Sequence, residues 1–228
     1  MSGEIEKYLN FVNSNNYWDE DKVVGTVRLI LNKYMGEPPT SFEFEGKTVT
    51  PKAFLRDGMK LNLDDYVPCM STLAVPFYTR GKFDVWDNWR RDSSYYNLPL
   101  DDWYKVIKGS IKNGYTLALG GDISEPGYMG EEDIAIVPDF DIPQNLINQD
   151  SRELRFYNET TTDDHGVHVV GFTNMGGHDW YLVKDSSRRL AQGKFEGYVF
   201  YSDDYIRLKM LTFLVHKDAL EKALGKKI

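Results

Sequence analysis

Cysteine is almost missing from this 228-residue chain: Cys69 is its sole thiol. A single cysteine excludes an internal disulfide and any cysteine-rich metal site. A basic excess is missing too. With 27 Lys and Arg against 35 Asp and Glu, the formal net charge is -8. That argues against a nucleic-acid partner, because a phosphate backbone needs a basic face. No apolar run approaches the roughly 18 residues of a membrane span. The opening residues, Met1 to Lys7, are polar and read without a secretory signal. The expectation is a soluble, cytoplasmic protein, with a secreted or periplasmic one left open. Residues Gly120 to Gly127 (Gly-Gly-Asp-Ile-Ser-Glu-Pro-Gly) lack both phosphate-loop spacings. Their acidic Asp122 and Glu125 would repel an anion. No Gly-x-Ser-x-Gly elbow occurs, so a serine hydrolase of that type has no support.

What is present has a globular composition, 41% hydrophobic and 14% aromatic. That is enough to bury a sizeable core as one domain or two intimate subdomains. Residues 1–114 read as mainly helical and irregular. Ile5, Tyr8, Leu9 and Val12 recur at helix spacing. Asp19 is placed to cap a second helix carrying Val23, Val24, Val27, Ile30, Leu31 and Tyr34, which Gly36 and Pro38-Pro39 end. Ser41 to Val49 alternates about Gly46 and predicts a hairpin. Thr50-Pro51 then opens a short helix through Arg56. Asp64 to Pro99 reads as a long aromatic loop region holding Trp86, Trp89, Tyr95 and Tyr96. Leu100, Trp103, Tyr104, Ile107 and Ile111 predict an amphipathic helix closed by Gly114.

Residues 115–228 read as β-rich. A buried strand, Tyr115 to Leu119, leads into the glycine loop. Four further strands follow: His165 to Phe172, Trp180 to Lys184, Gly197 to Tyr201 and Leu208 to Val215. Their short connections, such as Met175-Gly176-Gly177, favour antiparallel neighbours. A terminal helix runs from Asp218 to Leu224. The fold class is α+β.

Two of these strands carry candidate chemistry. His165 opens one, Asp185 ends the next, and a glycine turn lies between them. A carboxylate there can hold a ring nitrogen of His165 and fix its tautomer. That pair is the base and orienter of a nucleophile-base-orienter triad. Singly, each would be an ordinary polar residue at a strand end. A metal is not expected, although Asp163, Asp164 and His178 lie near His165 and His168: strand alternation sends the two histidines to opposite faces. No cofactor is expected either. Cys69 follows Val67-Pro68 with no helix start to activate it, and reads as a small buried apolar residue. Gly120, Gly121 and Asp122 are candidates to line a substrate groove, or else a plain surface loop.

Asp164-His165-Gly166-Val167-His168-Val169-Val170-Gly171-Phe172 resembles the histidine strand of papain-like cysteine peptidases. Tyr181 to Ser187 sits where that family has Lys-Asn-Ser-Trp-Gly, and Gly193 to Tyr198 is similar to its following glycine-bearing strand. Tyr34 to Pro39, Asp87 to Arg90, Tyr95 to Leu100, Gly120 to Glu125 and Val215 to Leu220 are similar to the bleomycin hydrolase, or aminopeptidase C, branch. The resemblance covers nearly the whole chain, but only the C-terminal half or so of a family member. It implies a papain-like C-terminal antiparallel β lobe with an N-terminal helical elaboration. It gives His165 the general-base role and places Asp185 at the orienting asparagine.

Three departures stand out. Asparagine has become Asp185, the shielding tryptophan has become Ser187, and the Gln…Cys-Gly-Ser-Cys-Trp segment with the nucleophile is not in this chain. The resemblance thus implies a chain that does not cleave peptides alone: an expressed fragment, half of a split enzyme with a cysteine-bearing N-terminal partner, or a pseudopeptidase binding a peptide or protein. Self-association or partner binding is expected through the His165 side of the sheet. The Trp86 to Tyr96 segment and the helix near Leu220 and Leu224 are available to cover that face.

Overall fold

The computed structural model describes residues 1–228, apart from the side chains of residues 188 and 189. Contacts divide the chain into two compact units, Met1–Asn62 and Leu63–Ile228. In the first, helices α1 (Ser2–Ser14) and α2 (Glu20–Met35) are joined by a short turn. Asp19 caps α2 by accepting from the Lys22 N–H, and Gly36 ends it at φ 78°. Glu4 ties the pair together, 3.0 Å from Lys33 Nζ and 2.8 Å from the Tyr34 hydroxyl. Strands β1 (Phe42–Phe44) and β2 (Lys47–Val49) form the expected hairpin. Its two turn residues, Glu45 and Gly46, both have positive φ, which suits the twist of a two-residue hairpin turn. Thr50 caps α3 (Pro51–Ala53), but the helix does not continue in α form to Arg56. Phe54–Gly58 instead makes a wider π turn that brings Phe54 edge-on to Phe42 and Phe44.

The second unit is built on a ten-stranded sheet. Its elements in chain order are β3 (Tyr66–Met70), β4 (Arg80–Gly81), β5 (Tyr95–Asn97), α4 (Leu100–Lys112), β6 (Leu117–Gly121), β7 (Tyr128–Met129) and β8 (Ile134–Ala135). There follow α5 (Gln149–Tyr157), β9 (His165–Met175), β10 (His178–Lys184), β11 (Tyr198–Ser202), α6 (Asp203–Lys209), β12 (Met210–His216) and α7 (Lys217–Leu224). The strand order is β4-β5-β3-β12-β6-β9-β10-β11-β8-β7. From β3 to β11 every neighbour is antiparallel, and parallel pairs flank that block on both sides, β3 with β5 and β11 with β8. One face is packed by α4, α6 and α7 around Trp103, Ile107, Leu119, Val169, Tyr181, Phe213 and Leu220, all buried.

Three sequence readings change. Residues 64–99 are not one irregular loop, since β3, β4 and β5 lie within them. Pro68 disguises β3, because proline in a central strand normally removes a ladder bond. It is tolerated where β12 alone flanks the strand: β5 reaches only Cys69 and Met70. Secondly, β12 is not the neighbour of β11. It inserts between β3 and β6, because α6, which takes in Leu208, carries the chain across the sheet. Thirdly, α5 has no counterpart in the sequence reading. Its cap is Asn148 with Ser151 returning the bond, and its buried residues are Arg152 and Glu153, the reverse of an apolar stripe.

Candidate active site

β9 lies between β6 and β10. His165, its first residue, pairs with Gly121 at the end of β6. On the other side the β9–β10 ladder runs to Lys184 opposite His168, with an irregularity between Leu182 and Val183. Asp185 follows directly, so its side chain reaches diagonally toward the start of β9. His165 Nε2 and Asp185 Oδ1 are 2.7 Å apart. The Asp185 side chain is fully buried, while that of His165 is 25% exposed. His168 is exposed, on the opposite face.

The buried carboxylate is well supplied with donors. Besides the imidazole, Oδ1 accepts the Ser187 N–H at 2.9 Å and Oδ2 accepts the Tyr128 hydroxyl at 2.9 Å. The Asp185 N–H donates to the Gly197 carbonyl at 3.0 Å. Sequence reasoning missed Tyr128: it lies 57 residues upstream on the edge strand β7, and no local spacing links it to Asp185. With an ionised carboxylate accepting at Nε2, a neutral His165 ring carries its proton there and its lone pair at Nδ1. Among the described residues Nδ1 has no hydrogen-bond partner. Such a nitrogen can accept a proton from a thiol, hydroxyl or water placed about 3 Å away.

Nothing nucleophilic from Cys69 reaches it. Cys69 is fully buried on β3, separated from β9 by β12 and β6, about 14 Å across the ladder at ~4.8 Å per step. Burial pushes its thiol far above the usual range. Gly120 and Gly121 prove to be the last residues of β6. A Cβ on Gly121 would collide with the Lys209 and Met210 backbone, whereas one on Gly120 would meet Thr212 and Asp163. Asp122 is 1% exposed and spent on structure: it accepts from the Ser124 and Glu125 backbone and from Thr162 N–H and hydroxyl. Glu125 is likewise consumed, between Arg155, Lys209 and Thr161.

No protein-family model matches the chain. Aminopeptidase C of Listeria innocua serovar 6a is 25% identical over 228 residues, covering 90% of this chain and 50% of its own length. The crystal structure of PepW from Lactobacillus rhamnosis HN001 matches with a TM-score of 0.65 at 18% identity, over 97% of this chain and 55% of that one. The similarity to aminopeptidase C and the fold shared with PepW fit a C-terminal portion of the bleomycin hydrolase-like peptidases. It spans about half the length of the relatives it matches. The α+β class, with helices and a large mixed sheet, agrees with the PepW likeness. Among the described residues, no helix is long and apolar enough to cross a membrane.

Proposed function

We propose that this chain supplies the general base and its orienter to a papain-like cysteine-peptidase site, and does not hydrolyse peptides by itself. The observation that carries the reading is the His165–Asp185 contact with Nδ1 left open, in a chain whose one thiol is buried three strands away. Triad members act as a unit, and loss of the nucleophile costs on the order of 10⁶ in kcat, or about 8 kcal/mol. The cysteine would come from a separate N-terminal portion docking against the His165 side of the sheet. His165 Nδ1 would then take the thiol proton, and Asp185, held by Tyr128 and Ser187, would keep the ring in register. Gly120, the penultimate residue of β6 and opposite Gly166, would border the groove.

A second reading is a pseudopeptidase that keeps the groove for binding a peptide or protein. Ser187 favours it, because it stands where the resembled family has a shielding tryptophan. Aminoacyl-coumarin hydrolysis and labelling by an epoxysuccinyl thiol probe test the inactivity. The purified chain should show neither at neutral pH, and a C69A variant should behave identically. Hydrolysis that C69A abolishes would overturn the reading.

A further inference from the structure

Neither the candidate pair nor its orienting contacts use the cleft that opens beside them. It has a volume of about 410 Å³, within the range of ligand pockets, and its walls include Phe83, Val85, Trp86, Phe156, Tyr157 and Asp163. Phe83 and Phe156 stack with centroids 5.5 Å apart, giving one firm apolar wall. Trp86 is almost fully exposed at the rim. Asp163, half-buried, packs over the bare backbone of Gly120: a Cβ there would stand 3.1 Å from its Oδ1. It precedes His165 by two residues, at most about 7 Å of chain.

Among the described residues the neighbouring carboxylates have donors and Asp163 has none. Asp122 is bound by Thr162, and Asp164 by the Ile123 N–H. Among the described residues no donor or cation meets Asp163. The one lysine in the wall, Lys82, is paired with Asp84 at 2.7 Å, and the remaining charge there, Glu159, is also acidic. Burial, then the charges of Asp87 and Asp164, push the Asp163 carboxyl up to about 7. A carboxylate so placed is short of a cation.

The geometry points to this cleft as a recognition site for an arginine side chain of an extended peptide lying past His165. The aliphatic stem would run along the Phe83–Phe156 wall, the guanidinium plane would face Trp86 or Tyr157, and its fork would meet Asp163. Arginine is favoured over lysine because the planar group both stacks and forks. That the peptide is a substrate rests on the peptidase reading, whereas its binding does not.

Calorimetric titration of the full chain at pH 8 with Nα-acetyl-arginine amide and its uncharged counterpart, Nα-acetyl-norleucine amide, tests this. The arginine ligand should bind at least tenfold more tightly. D163N should bring it down to the norleucine level, and W86A should weaken it several-fold. H165A should leave it unchanged, which separates this site from the peptidase reading. Equal affinity for the two ligands, binding of neither, or undiminished arginine binding by D163N would overturn the assignment. Arginine binding by a chain that gains no hydrolysis when mixed with the protein encoded upstream would count against the peptidase reading alone.

Discussion

Tyr128 acts through one oxygen atom, and that atom holds the far side of Asp185. Removing its hydroxyl in Y128F leaves Oδ2 of a fully buried carboxylate short of a donor. The expected cost is about 1–3 kcal/mol, read from urea unfolding. An unchanged midpoint would show that the hydroxyl is not needed to hold the carboxylate. Asp163 behaves in the opposite sense. Its folded-state value, about 7, lies above the ordinary 3.8, so the folded chain keeps this proton longer than the unfolded one. Its contribution is therefore least unfavourable below pH 3.8 and worsens as pH rises toward 7, then levels off. D163N should stabilise the chain by on the order of 1–2 kcal/mol at pH 8, with the gain vanishing near pH 4. A destabilised D163N at pH 8 would mean that the carboxylate is paired after all.

Elements were legible where one periodicity governed them. α1, α2 and α4 follow from apolar spacing and caps, and the β9–β10 hairpin follows from alternation around Gly176-Gly177. β3 was hidden by Pro68, and α5 by the inversion of its buried side. The inversion has a physical cause. Arg152 is buried with its guanidinium donating to the carbonyls of Ser71, Arg207 and Leu211, at 3.4, 2.9 and 2.9 Å, and lies over the Trp103 ring. It thereby fastens α5 to the ends of β3, α6 and β12. Burial lowers its pKa to about 9, which still leaves it charged at neutral pH. R152M should cost about 3 kcal/mol or more, since those carbonyls lose their donors inside the fold. Thermal or urea unfolding checks this, and a neutral substitution would make α5 an ornament of the sheet rather than part of its frame.

At the scale of the molecule, the His165–Asp185 pair was legible because both partners sit at the ends of adjacent strands in one hairpin. Tyr128 and Asp163 were not, because a sheet assembled from non-consecutive strands brings them in. The sheet order β3-β12-β6-β9 also separates Cys69 from His165, a distance that no reading of single strands could give. Several large apolar side chains remain exposed, Trp86 and Trp89 among them, so the aromatic segment does not cover itself. Exposed apolar surface of this kind marks partner sites when it is contiguous. The account therefore turns on whether another polypeptide completes the site. The most direct test is to co-express this chain with the protein encoded immediately upstream and assay aminoacyl-coumarin hydrolysis in the purified mixture. The account predicts that the two co-purify, that hydrolysis appears only in the mixture, and that H165A abolishes it while C69A does not. Co-purification without hydrolysis would favour the pseudopeptidase. No association, or hydrolysis unaffected by H165A, would contradict the central claim.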